Sequence, residues 1–328
     1  MTSPFPVPPA SEEPLGSVTR ILALAPADGE GALSGTSLPQ LSGRVYGGQV
    51  VAQGLLAAAA TLRDAGLDER LPHSVHAYFM RGGKPDAPIR FDVEDLHDGR
   101  SFSQRRTTAS QDDRVILQMI SSFQDAQEGE DVQATAPAVP RPEELTSALE
   151  IFRTIDHPVA KFLGRTAAFD LRHVEDNIYL RPAAERTDHQ RVWARARGTV
   201  PKGASQTVHR ALLAYMCDQI MLEPALRSRG LSWRTEGMSL ATLDHAQWFH
   251  RDVDVNDWLL FVQDSHSSSG GRAMARAEVF DSRGRLVSTI AQEGMVRVPT
   301  ATSKGSGEWE IRVAEGDDGS AIPEPEQG

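Results

Sequence analysis

The sequence has one cysteine, Cys217, in 328 residues, which excludes an intrachain disulfide and points to a reducing compartment. Basic residues are scarce: 34 Lys and Arg stand against 45 Asp and Glu, a formal net charge of −11. A nucleic-acid interface would need a basic footprint, so no nucleic-acid partner is expected, and a polyanionic ligand must be met by a local basic patch. No apolar run approaches the roughly 20 residues that span a bilayer, so no membrane insertion is expected. The first residues carry Pro4, Pro6, Pro8, Pro9, Glu12 and Glu13 where a secretory leader would be basic and then apolar, and the last three residues are not a peroxisomal address. The expected location is the cytoplasm.

Familiar site motifs are missing too. The nearest match to a serine-hydrolase elbow, Gly99–Ser103, lacks the closing glycine and lies on a hairpin. Gly47 and Gly48 precede a helix, but no Lys-Ser/Thr follows to make a phosphate loop. His73 and His76, like His245 and His250, are oddly spaced along strands, which puts each pair of rings on opposite faces. Zinc needs three or four convergent ligands, so packing or partner hydrogen bonds describe these histidines better. A lone cysteine inside an apolar helix is an inert buried thiol far more often than a nucleophile. Neither a metal nor a cofactor is expected.

What is present is a sequence that says nearly the same thing twice. Tyr46 and Tyr215 lie 169 residues apart, and the same offset relates Gln49 to Asp218 and His76 to His245. The offset then grows by single residues, through Arg81 with Arg251 and Ile116 with Val287. An internal duplication leaves this pattern. With 40% hydrophobic residues, the chain can bury a sizeable core for two copies.

The first copy predicts a short helical segment around 17–24, then a helix over Val45–Leu62 that is apolar on nearly every side. Strand-like runs follow at 74–80, 89–96, 101–110 and 115–124, with turn signals at Asp98-Gly99 and Asp112–Arg114. The second copy predicts a strand at 191–200, a helix over Val208–Leu222, and strands at 239–249, 258–265, 272–280 and 286–297. One buried helix followed by an antiparallel meander is an α+β unit with its sheet wrapped around the helix. The expected organisation is a disordered segment 1–14, a first unit 15–125, a Pro- and acid-rich linker 126–145, a second unit 146–298 and an acidic disordered tail 299–328.

Asp218 is the sharpest chemical candidate, because the residues around it on its helix are almost all apolar. An ionised carboxylate there is costly unless paired or hydrogen-bonded. Backbone amides or a water-filled groove would satisfy it equally well. Thr242 and Gln292 carry no weight alone, since Thr is a common strand former. The duplication adds the weight: Asp218, Thr242 and Gln292 align with Gln49, His73 and Ser121, and all three positions are polar in both copies but change identity.

Taken together, Tyr46–Gln53, His73–Phe79, Val93–Ser103, Ala241–Arg251, Asn256–Leu260 and Gln292–Gly294 resemble the acyl-CoA thioesterase II family of double hotdog enzymes over about residues 17–297. The resemblance implies an α+β double hotdog and hydrolysis of a fatty acyl-CoA to free acid and coenzyme A, a step of lipid and fatty acid metabolism, without cofactor or covalent intermediate. It places the catalytic Asp, Thr and Gln on Asp218, Thr242 and Gln292, and substrate binding at Gly47, Gly48, Gln49 and His73. Gly47 and Gly48 are further implied as amide donors to the oxyanion. It also implies a homodimer or homotetramer. A hotdog enoyl-CoA hydratase would carry a D-x-N-P-x-H pattern, which this sequence lacks, and a silent acyl-CoA-binding protein would be expected to lose the polar triad, which it keeps.

Overall fold

The computed structural model describes residues 13–29, 31–40 and 42–298. The expected tail 299–328 and nearly all of the expected segment 1–14 lie outside them, and Pro14 already opens a helix. The first half comprises α1 (Pro14–Leu22), β1 (Ala25–Pro26), β2 (Leu33–Gly35), α2 (Gly47–Asp64), β3 (Leu71–Phe79), β4 (Ile89–Asp98), β5 (Phe102–Gln111) and β6 (Arg114–Gln124). The second comprises α3 (Ala148–Thr154), α4 (Pro158–Thr166), β7 (Phe169–His173), β8 (His189–Ala196), α5 (Gln206–Cys217), α6 (Glu223–Ser228), β9 (Ser239–Thr242), β10 (Asp244–Phe249), β11 (Leu259–Ser269), β12 (Arg272–Asp281) and β13 (Leu286–Arg297).

All strands join one antiparallel sheet in the order β1-β2-β4-β5-β6-β3-β10-β13-β12-β11-β8-β7, with β9 beside β13. Read outward from the β3–β10 seam, the two halves repeat strand for strand. Each wraps its inner face around a central helix: alternation along β5 and β12 buries Arg105, Thr107 and Ala109 on one side and Ala273, Ala275 and Ala277 on the other. The helices α2 and α5 meet at the centre, where small residues such as Ala57, Ala58, Ala211 and Ala214 are fully buried. This is an α+β double hotdog. Arg105 is buried in it and ion-paired with Asp95 at 2.7 Å and Asp98 at 2.8 Å, which spares its guanidinium an unpaired burial.

The second central helix departs from expectation. The pattern predicts one helix through Leu222, but α5 ends at Cys217 with Asp218 as its C-cap, and α6 resumes at Glu223. Pro224 has no N–H to give Ile220, and its ring would crowd that carbonyl in a continuous helix. Ile220 O instead accepts from Glu223 N at 3.2 Å and Gln263 Nε2 at 3.2 Å. Likewise the expected strand 239–249 is two strands, interrupted at Leu243. The helix α4 repeats α1, each nine residues long, opening on Pro and leading into the outer strand, whereas α3 has no counterpart among the described residues of the first half; neither α3 nor α4 was read from the sequence.

The backbone corrects the residue pairing as well. Met80 N donates to Ile116 O and His250 N to Val287 O, both at 2.9 Å, while Arg81 caps Val115 O as Arg251 caps Leu286 O. Arg81 with Arg251 and Ile116 with Val287 are therefore true counterparts. Carried back along β3 and β10, that register pairs Val75 with His245, not His76 with His245. His76 is exposed and packs edge-on to Trp248 at 5.1 Å, whereas His245 is buried. On a strand a one-residue slip changes the face. Thr242, paired with Gly294 as Pro72 is with Phe123, accordingly corresponds to Pro72 and not to His73, and the N-caps Tyr46 and Ser205 align α2 with α5 so that Asp218 corresponds to Ala59 and not to Gln49.

Candidate active site

A cavity of about 1260 Å³ opens between the halves, lined on one side by Tyr46, Gly47, Phe79 and Ile116 and on the other by Asp218, Thr242, Leu222 and Leu240. The helix pair α3–α4 closes another wall with Phe152, Ile155, Ala160 and Leu163. Arg44, Arg81 and Arg234 also line it, and Arg81 and Arg234 are exposed.

Asp218 stands where α5 breaks, so its carboxylate leaves the helix and meets the first turn of α2. Three donors converge on it. Thr242 Oγ1 donates to Oδ1 at 2.7 Å, Gln292 Nε2 donates to Oδ1 at 2.9 Å, and the Gly48 N–H donates to Oδ2 at 3.0 Å. Helix N-termini supply unsatisfied N–H groups suited to such an anion. Gln292 Nε2 also lies 3.2 Å from Thr242 Oγ1, so it bridges the two other members of the site. Asp218 and Thr242 face the cavity; Gln292 is buried one layer behind them.

The two glycines are required by space. A Cβ on Gly48 would sit 2.3 Å from the Tyr215 carbonyl oxygen, and one on Gly47 would sit 2.7 Å from Asp218 Oδ2. Their absence of side chains lets α2 approach α5 closely enough for the Gly48 N–H to reach the carboxylate. The rings of Tyr46 and Tyr215 pack edge-on at 5.0 Å beside this junction, and Tyr46 Oη donates to Tyr215 O at 2.7 Å. Burial, then the charge of Asp218, hold the Tyr46 hydroxyl well above its usual range and so protonated.

The structure thus brings Asp218, Thr242 and Gln292 together with Gly47 and Gly48. Two expected substrate-binding residues are elsewhere. Gln49 points away from the cavity: its Oε1 accepts from Leu38 N at 3.2 Å and its Nε2 donates to Ser37 Oγ at 2.9 Å and Gln53 Oε1 at 3.2 Å, pinning the strap before α2. His73 bonds Ser122 Oγ at 2.8 Å across the sheet, and burial, then Arg210, lower its pKa. The bulge in β3 turns it from the cavity. The Gly48 amide is likewise committed to Asp218, which leaves the Gly47 N–H at the cavity wall as the amide free to meet a ligand.

Cys217 is fully buried, and burial, then the neighbouring Asp218 charge, push its thiol well above the ordinary range. It is a packing residue, as the apolar helix around it suggests. Among the described residues no cluster of three His, Cys, Asp or Glu side chains converges to hold a metal ion, and no helix is long and apolar enough to cross a membrane. One neighbour of the triad escaped sequence reasoning. His245 Nδ1 lies 2.9 Å from Gln292 Oε1, where the sequence suggested only packing or a partner hydrogen bond without naming the partner.

The chain is similar to several known proteins. A family model described as Acyl-CoA thioesterase matches residues 168–295, and one described as Acyl-CoA thioesterase N-terminal domain matches residues 37–124. Acyl-CoA thioesterase 2 of Haemophilus influenzae is 34% identical over 261 residues, covering 77% of this chain and 88% of that protein. The crystal structure of an acyl-CoA thioesterase II from Mycobacterium marinum is similar with a TM-score of 0.70 at 34% identity, over 86% of this chain and 99% of that one. A hot dog fold protein of Alicyclobacillus acidocaldarius covers 87% of this chain and 99% of its own, with a TM-score of 0.68 at 19% identity, a likeness of fold alone.

Proposed function

This chain belongs to the acyl-CoA thioesterase II family and is a thioester hydrolase, and on that premise we propose that Asp218 is the general base that activates water against the thioester carbonyl of a fatty acyl-CoA. The observation that carries the reading is the convergence of three donors on one carboxylate in the cavity wall. Oδ1 accepts two of them and Oδ2 one, so Oδ2 keeps a lone pair for a water. Thr242 orients the carboxylate from the cavity side, and Gln292 holds Asp218 and Thr242 in register from behind.

Water oxygen bonds to the carbonyl carbon while its proton passes to Asp218 Oδ2. The developing oxyanion takes a hydrogen bond from the Gly47 N–H, at the positive end of α2. Collapse breaks the C–S bond, and the proton held by Asp218 returns to the coenzyme A sulfur as it leaves. No covalent acyl-enzyme is needed, because a thiolate is a good leaving group and Cys217, the one thiol, is held protonated behind the site. The acyl chain follows the apolar wall of Phe152, Ile155 and Leu163, and the exposed Arg81 and Arg234 receive the phosphates of coenzyme A.

The test is thiol release from a series of acyl-CoA chain lengths by the wild type and Asp218→Asn. The reading expects kcat to fall by a factor on the order of 10²–10⁴ with KM little changed, and intact-mass spectra during turnover to show no acylated chain. Retention of near wild-type kcat, or an accumulating acyl adduct, defeats it.

The same reading includes a homodimer or homotetramer in the cytoplasm, acting in fatty acid metabolism. Support for assembly comes from the outer sheet face near the β3–β10 seam, where Tyr78 is 62% exposed and Ile120 46%; apolar side chains clustered on a sheet face mark an interaction surface. Light scattering reporting only the 35.7 kDa single-chain mass rejects the oligomer.

A further inference from the structure

Behind Gln292 the hydrogen bonds continue into the protein. His245 Nδ1 lies 2.9 Å from Gln292 Oε1, its Nε2 lies 3.3 Å from Gln247 Oε1, and Gln247 Nε2 donates to Ser288 Oγ at 3.1 Å. Ser288 in turn donates to Trp248 O at 2.8 Å. Every side chain in this row is buried.

The carboxylate sets the direction of the row. An ionised carboxylate only accepts, so Gln292 must present Nε2 to Asp218 and Oε1 to His245, and His245 must carry a hydrogen on Nδ1 to meet it. Without that donor the amide has no preference between its two orientations on the far side. The flipped amide would turn Oε1 toward Asp218 Oδ1, acceptor against acceptor, and would withdraw the donor shared with Thr242.

The other half of the molecule supplies an independent observation. Val75 and Ser121 are directly paired in the sheet there, at the positions that correspond to His245 and Gln292. Val75 offers no donor, and the Ser121 hydroxyl is buried without a partner among the described residues. Where the carboxylate is replaced by Ala59, Gln292 and His245 are replaced together.

Resting on the assignment of Asp218 as base, we propose that His245 is a positioning residue of the reaction: its Nδ1–H fixes the orientation of the Gln292 amide, and through it the register of Asp218 and Thr242. It touches neither substrate nor water. Its contribution therefore exists only while Gln292 is present.

The experiment is a double-mutant cycle read as kcat, KM and thermal midpoint with one acyl-CoA. Gln292→Ala lowers kcat about tenfold, and His245→Leu lowers it by a similar factor with KM unchanged; in the Gln292→Ala background His245→Leu costs less than about twofold more. His245→Asn, whose amide nitrogen sits near the position of Nδ1, recovers most of the lost kcat, a rescue that a purely packing role would not show. Equal losses from His245→Leu with and without Gln292, or no recovery in His245→Asn at matched thermal midpoint, overturn the inference while leaving the base intact. An unchanged kcat in Gln292→Ala overturns it by removing the group through which His245 acts, and an unchanged kcat in Asp218→Asn defeats the underlying assignment itself.

Discussion

In the first half the central helix runs unbroken from Gly47 to Asp64, whereas in the second it stops at Cys217 and starts again at Glu223. The same sheet wraps both. The difference is that the unbroken helix has its first turn at the junction and offers N–H groups there, while the broken one has a side chain to place in the gap. Counted from the N-caps Tyr46 and Ser205, the position of the intact helix that corresponds to Asp218 is Ala59, while Gln49, in the first turn of α2, is buried among backbone and amide partners. Asp218, at the break, is turned onto the first turn of α2 and the cavity. A duplicated unit thus yields one reactive end and one structural end, each supplying what the other lacks.

The comparison breaks most severely if the carboxylate of the second half is lost. Asp218→Gln keeps a hydrogen-bonding side chain but no base, and kcat for thioester hydrolysis is expected to fall by a factor on the order of 10²–10⁴ in a thiol-release assay. Thr242→Ala is expected to lower kcat about tenfold, and less than additively in combination with Asp218→Gln, because both act on one water. Next in size is the contact that joins the halves: Gly48→Ala puts a methyl against the Tyr215 carbonyl and should lower stability by about 1–3 kcal/mol in urea unfolding, with a loss of kcat.

Changes in the first half sharpen the contrast from the other side. Gln49→Leu strands the Leu38 N–H and should cost about 1–3 kcal/mol of stability while kcat per folded molecule stays near wild type. A loss of kcat without loss of stability would return Gln49 to the substrate site. The smallest effects belong to Ser121→Ala, which removes an unpartnered hydroxyl and should shift stability by less than about 1 kcal/mol, and to Cys217→Ala, whose kcat should stay within about twofold because the thiol is held protonated.

Much of this was legible in the residues. The central strands fall within a few positions of the alternating runs, and α2 within two residues of the apolar stretch that signals it, because a strand or helix buried on one side must repeat its apolar residues at the matching period. Asp218, Thr242 and Gln292 were legible as candidates for the same reason: an apolar helix and two inward-facing strands make polar residues conspicuous. The short helices α3 and α4 were not, since brief amphipathic segments resemble loops until something is present for them to cover. Nor was the role of Gln49, whose partners come from the strap at Thr36–Leu38.

The sequence by itself determined the duplication and the α+β class, because these depend on period and composition along the chain, and it marked the polar candidates for the site. Tertiary structure alone decided which of them face the cavity. Pro224 breaks a helix that its apolar pattern would continue, a one-residue slip in β3 against β10 sends His76 outward and His245 inward, and Gly48, separated from Asp218 by 170 residues, supplies the amide that Asp218 accepts. Such contacts arise only when two helices from different copies are brought close enough for a backbone N–H to find a carboxylate, a distance that no local pattern encodes.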